Sequence, residues 1–188
     1  MEYQWFDALK NAIAGNRQPQ SRYVQMATLG LDGAPRNRTL VFRGFLAGAS
    51  SPLFVADNRS EKISELIRNN RCELSWYFPE SWEQFRLRGE MQVLSAAYDK
   101  TALRADIWQG LSEAIRAQFY WSSPGGLRTD SNPLNTRFVV DAPNLPPQTF
   151  NVLALTVTAA DHLQLQPTQR RFCSELAPEG WHSREIHP

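Results

Sequence analysis

The sequence predicts a mainly β domain, an antiparallel barrel with two or three α-helices on its outside. Three observations carry that expectation. From Trp82 to Leu94 the residues alternate, with Gln84, Arg86, Arg88, Glu90 and Gln92 on one face and Phe85, Leu87, Met91 and Val93 on the other. That is the period of two of a strand with one buried side. Asp32-Gly33 divides two strand-like runs, Tyr23 to Leu29 and Pro35 to Phe45, as a hairpin turn does. Finally, Phe150 to Gln166, Arg171 to Glu175 and Trp181 to Ile186 read as closing strands, the last two joined through Pro178-Glu179-Gly180.

The remaining elements follow in order. Trp5, Phe6, Leu9, Ala12 and Ile13 recur at helical spacing, and Gly15-Asn16 stops that helix. Leu53 to Ala56 is a short apolar strand leading into a helix over Ser60 to Asn70, where Ile63, Leu66 and Ile67 share a face. Cys72 to Phe78 is a strand, and Pro79-Glu80-Ser81 turns the chain into the alternating run. Tyr98 to Trp121 has a helical pattern broken near Gly110. Ser122 to Pro147 is rich in Pro, Asn and Gly and reads as a long loop with a short strand around Phe138.

A chain of 188 residues, 42% apolar and 21% charged, is expected to form one globular domain over residues 1–188. Its formal net charge of +1 gives no general attraction for polyanions, so nucleic acid is not an expected partner and any anion site must be local. Cys72 and Cys173 stand outside any metal-binding spacing and are expected as reduced thiols. The N-terminal stretch lacks the apolar core of a signal peptide, and no apolar run approaches the roughly 20 residues of a membrane span. The expected compartment is the cytoplasm, with no membrane partner.

The strongest functional pattern is Arg38-Thr39-Leu40-Val41-Phe42-Arg43, a strand with a cation at each end, followed by Arg59-Ser60-Glu61-Lys62 at a helix start. Cations there oppose the helix dipole. Beside Ser60 and free backbone N–H groups they form a receptor for phosphate. Read locally, the same residues are equally two solvated cations and an N-cap serine.

The order of these pieces resembles the pyridoxamine 5'-phosphate oxidase-like family of FMN-binding split barrels. The likeness runs from Tyr23 to Leu94, through Met26-Ala27-Thr28-Leu29, Pro35-Arg36-Asn37-Arg38, Phe54-Val55-Ala56-Asp57-Asn58-Arg59-Ser60-Glu61-Lys62 and Glu83-Gln84-Phe85-Arg86-Leu87-Arg88-Gly89. The resemblance implies FMN as cofactor. It places Arg38, Ser60 and Lys62 at the phosphate, Thr39, Leu40, Val41 and Phe42 along the isoalloxazine ring, and Val55 and Ala56 against the flavin. Gln84 and Arg171 match further flavin contacts, and Arg43 stands where the family carries a substrate-facing lysine. Glu61 replaces a family arginine, and Arg59 offers a charge two residues earlier. The family's late Arg-Leu-His motif is missing, since Pro167-Thr168-Gln169 precedes Arg170-Arg171, and Ile107 to Leu111 lacks its residues for the pyridoxal phosphate group. The chain therefore resembles a separate branch rather than the vitamin B6 oxidase itself.

The resemblance implies an FMN-dependent oxidoreductase acting on a small molecule, as a homodimer with the flavin between subunits. A flavin- or haem-binding protein without turnover is the alternative from another class. No catalytic side chain and no metal site is assigned. His162, His182 and His187 are expected in surface or packing roles, and the Gln84–Arg88 face is expected to meet solvent or a second subunit.

Overall fold

The computed structural model describes residues 3–97, 102–127 and 145–188. Helix α1 (Trp5–Gly15) precedes a hairpin of β1 (Tyr23–Leu29) and β2 (Pro35–Val41), in full register from Tyr23–Val41 to Leu29–Pro35. The strand expected to continue to Phe45 ends at Val41. Gly44, at φ 138° where a side chain would be strained, turns the chain into β3 (Gly44–Phe45), which pairs with β4 (Pro52–Asp57) instead. The Arg43 N–H donates to the Leu53 carbonyl (2.9 Å), so this corner brings the end of β2 beside β4. Helix α2 (Glu61–Arg68) then leads to β5 (Arg71–Phe78) and β6 (Glu83–Leu94).

Helices α3 (Leu103–Gln109) and α4 (Glu113–Ala117) flank Gly110, the expected break, and a 3-10 turn (Gln118–Tyr120) follows. The short strand expected around Phe138 lies outside the described residues. Strands β7 (Phe150–Gln164), β8 (Arg170–Ala177) and β9 (Gly180–Ile186) complete the sheet, and β8 and β9 form the expected hairpin.

All pairings are antiparallel, in the order β2-β1-β5-β6-β7-β4-β3. Strand β7 makes the split. Along one edge residues 152–164 pair with β6; along the other, residues 150–154 pair with β4 and residues 159–164 with β8. The barrel core gathers Phe54, Leu74, Trp76, Phe78, Phe85, Leu87 and Met91, and α1 caps it with Trp5 and Leu9. A second core of Leu53, Trp108, Leu111, Phe119, Phe150 and Val152 binds α3 and the 3-10 turn to β4 and β7. Buried Arg104 donates to the carbonyls of Phe150 and Pro147, which fixes α3 to the start of β7. Both cysteines are free thiols, and no described helix is long and apolar enough to cross a membrane.

Candidate functional site

A cleft of about 670 Å3 opens where β2, β4 and α2 face the segment after α4. Its size falls within the roughly 300–1,000 Å3 of small-molecule and cofactor sites. Thr39, Leu40, Val41 and Arg43 form one side, with Val55, Ala56 and Asp57 of β4 and Lys62 of α2. Alternation explains why they are available: Leu40, Phe54 and Ala56 face the core, so Thr39, Val41, Val55 and Asp57 face away from it. The opposite wall is Ile115, Gln118, Phe119 and Trp121, continuing through Ser122 to Leu127. The second core anchors this wall, since Phe119 packs edge-on against Trp108 and Phe150.

The cations are not equivalent. Arg38 points its guanidinium away from the cleft, to Thr28 Oγ1 and to Glu65, a carboxylate with no solvent exposure. The Thr28 hydroxyl donates to the same Glu65 oxygen (2.6 Å). Lys62 lines the cleft and forms no ion pair among the described residues. Burial first, and Arg38 second, push its ammonium below the usual lysine range, against the opposing pull of Asp57 and Glu65. Arg43, half-buried and near Arg22, is also lowered, by its burial first, and its buried Nε has no acceptor among the described residues.

Ser60 holds the N-cap position of α2, but its hydroxyl donates back to the Asp57 carbonyl (2.6 Å). No side chain caps the helix, so its first N–H groups stay open to an external acceptor. Arg59 is committed elsewhere. Its Nε and Nη2 grip Asp57 Oδ1 and Oδ2 (2.9 and 2.6 Å), while Nη1 donates to the Trp121 carbonyl (2.9 Å) and Nη2 reaches that of Phe119 (3.5 Å). The bonds to Asp57 hold the Arg59 guanidinium above its usual range.

The structure thus brings together Thr39, Leu40, Val41, Arg43, Val55, Ala56 and Lys62 around one cleft. Arg38, Phe42, Arg59 and Ser60 stand behind it, with Phe42 in the barrel core. Gln84 and Arg171 lie away from it. They share a cross-strand row, Gln84–Leu163–Arg171, on the outer face of β6, β7 and β8. There Arg171 makes a bidentate pair with Asp161 (3.1 and 2.7 Å), and Arg86 pairs with Glu73. Sequence reasoning missed Asp57, Phe119 and Trp121 as cleft residues. The only local signal was Asp57-Asn58-Arg59, an acid two residues before an arginine.

His162 is buried and bonded on both ring nitrogens, by the Tyr3 hydroxyl (2.6 Å) and Glu83 (3.0 Å), and stacks on Phe85. It fastens the N-terminus to the barrel, far along the sheet from the cleft residues. Among the described residues no cluster of histidine, cysteine or carboxylates is arranged to hold a metal ion.

Comparison with known proteins places this geometry. A family model described as pyridoxamine 5'-phosphate oxidase, FMN-binding domain, matches residues 2–95. Pyridoxine/pyridoxamine 5'-phosphate oxidase 2 of Arabidopsis thaliana is 34% identical over 191 residues, covering 98% of this chain and 96% of the relative. A pyridoxamine 5'-phosphate oxidase-related, FMN-binding protein of Nostoc punctiforme superposes with a TM-score of 0.90 at 35% identity, covering all of both chains. PhzG of Burkholderia lata, solved with tetrahydrophenazine-1-carboxylic acid, is 19% identical with a TM-score of 0.75, covering 98% of this chain and 89% of its own; that likeness is one of fold.

Proposed function

The chain belongs to the pyridoxamine 5'-phosphate oxidase-type family of FMN-binding domains, and on that premise we propose that its cleft holds FMN and that the protein is a flavin-dependent oxidoreductase acting on a small molecule. One observation supports this most directly. The cleft combines an unpaired lysine at an uncapped helix start with two buried donors, Arg43 Nε and Trp121 Nε1, that have no acceptor among the described residues. A ligand rich in acceptors and carrying a phosphate satisfies all three.

In this reading Lys62 and the first N–H groups of α2 hold the phosphate. Thr39 to Val41 present backbone polar groups to one edge of the ring, and Val55 and Ala56 supply apolar contact. Arg43 keeps positive charge where the ring meets the substrate, which favours a substrate with an anionic or carbonyl group. Bound FMN would supply hydride or electron acceptance, and the chain's residues bind it, orient it and set its electrostatic surroundings. Vitamin B6 phosphates are not carried over from the relatives as substrates. Trp108 and Leu111, in the segment that would have to hold such a phosphate, are packed into the second core.

No histidine, cysteine, methionine or tyrosine, the usual axial ligands of haem, lines the cleft among the described residues. A homodimer belongs to the same proposal. Gln84 and Arg171, which the family likeness assigns to flavin, lie off their own chain's cleft, and in this reading a two-fold partner brings them to it.

Titration with FMN tests the reading, followed by absorbance and by light scattering. One FMN per chain and a dimer are expected. Lys62→Ala should weaken FMN roughly ten- to a hundred-fold, the loss of one charge-assisted bond to phosphate, and leave riboflavin nearly unchanged. A protein that takes up no flavin, or a Lys62→Ala variant that binds FMN like the parent, would overturn it.

A further inference from the structure

Arg59 has the charge and the position to be a phosphate ligand, yet its guanidinium is fully engaged. It holds Asp57 with two bonds and crosses the cleft's rim to the carbonyls of Trp121 and Phe119. The surrounding turn reinforces that bridge. Asn58 donates to the carbonyls of Thr149 and Gln148 just before β7, and the Thr149 hydroxyl donates to the Phe119 carbonyl (2.9 Å). Two carbonyls of one short segment are thereby tied to the β4–α2 turn. What the tie presents is Trp121, which lines the cleft and whose indole N–H is buried with no acceptor among the described residues. A desolvated donor left unpaired is unfavourable, and native structures keep few of them. Its place on a cleft wall says what would pair it.

We infer that Trp121 is a direct ligand contact, its indole N–H donating to an acceptor on the bound ring system, and that Arg59 is a positioning residue for Trp121 rather than a ligand of the phosphate. The inference rests on the flavin reading of the cleft and deepens it. It assigns the wall opposite β2 to the ring and leaves the phosphate to Lys62 and the start of α2. Trp121 then also helps select the ligand: an apolar ring lacking an acceptor at that edge would leave the N–H unpaired and be rejected.

The experiment measures FMN and riboflavin affinity and the visible absorption band of bound flavin in the parent, Trp121→Phe, Arg59→Lys and Arg59→Ala. Phenylalanine keeps the ring and removes the donor. It should weaken FMN and riboflavin alike, by about three- to ten-fold as for one hydrogen bond, and move the band. Lysine keeps the charge but cannot fork between Asp57 and two carbonyls. Arg59→Lys should therefore weaken both flavins by a similar factor, keep their ratio within about two-fold, and move the band as Trp121→Phe does. Arg59→Ala should do the same if it folds. Trp121→Phe binding both flavins like the parent with an unmoved band would overturn the contact. Loss of the preference for FMN over riboflavin in Arg59→Lys would overturn the positioning role. A parent that binds neither flavin removes the flavin reading and this inference together, whereas flavin binding that is indifferent to both residues removes this inference alone.

Discussion

Replacing Arg38 should damage the fold before it damages any ligand site. The residue carries charge next to a proposed phosphate site, so Arg38→Ala invites interpretation as a binding mutant. Its partner decides otherwise. Glu65 has no exposed side-chain surface, receives bonds on one oxygen from Arg38 and Thr28, and has no partner for the other among the described residues. Without Arg38 a buried carboxylate is left with one hydroxyl. Removing one member of a buried ion pair typically costs about 3–5 kcal/mol, and because Arg38 keeps 20% of its own exposure, the lower end, about 3 kcal/mol, is expected. Glu65→Gln keeps the shape and spares the buried charge, so it should cost less, and the double change Arg38→Met with Glu65→Leu should return part of the loss. Urea unfolding followed by fluorescence measures each, with the slope held constant as the check that only stability has changed. An Arg38→Ala variant within about 1 kcal/mol of the parent that loses FMN selectively would refute the reasoning and restore Arg38 as a phosphate ligand.

Three further outcomes follow from the same structure. A Cβ on Gly89 would collide with the Thr156 carbonyl where β6 and β7 shift register, so Gly89→Ala should lower stability by about 2–3 kcal/mol, read as a fall in the urea midpoint. Burial alone would raise the Glu83 carboxyl, but bonds from His162 and Ser81 bring it below the usual range; that stability is present above about pH 4.3 and is lost as pH falls through the lowered value. The difference in stability between the parent and Glu83→Gln should accordingly be largest near neutrality and shrink in acid. Burial pushes the Cys72 thiol up to about 12, so iodoacetamide should spare it in the native protein, label the partly exposed Cys173 slowly, and reach both in denaturant.

Much of this fold was legible because its strands are patterned on one face. The alternation of β6, the Asp32-Gly33 hairpin and the Ile63–Leu66 face of α2 each follow from local periodicity, and β6 and α2 lie within two residues of their expected bounds. The misread end of β2 has a physical cause. Phe42-Arg43-Gly44-Phe45 satisfies a strand's local preferences, and only pairing of β3 with β4 reveals that Gly44 is a corner. The fork in β7 was equally hidden, since nothing in its own residues says that one edge meets two partners. At the site, local motifs marked the β2 strand and the start of α2, and the family likeness added Val55 and Ala56 of β4. They could not find what those residues hold on to. Glu65 lies 27 residues from Arg38, Trp121 lies 62 from Arg59, and Tyr3 lies 159 from His162.

Those distant partners change which charges the cleft can use. By sequence alone Arg38, Arg43, Arg59 and Lys62 form a strongly basic site weakened by Glu61. In the structure Glu65 offsets Arg38 and Asp57 offsets Arg59, so Lys62 and Arg43 carry the charge left for a ligand. Lys62 is held below its usual range first by burial, which means that its charged form is less favoured in the folded protein than in water. A phosphate beside it offsets that penalty and raises the value again. FMN binding should therefore take up protons at alkaline pH, and affinity should decline as pH rises from the lowered lysine value towards the ordinary one near 10.4. Riboflavin, which brings no phosphate to Lys62, should show no such slope. Calorimetric titration in buffers of different ionisation enthalpy counts the protons directly. Equal pH dependence for the two flavins would place the phosphate elsewhere and return the two paired arginines to consideration.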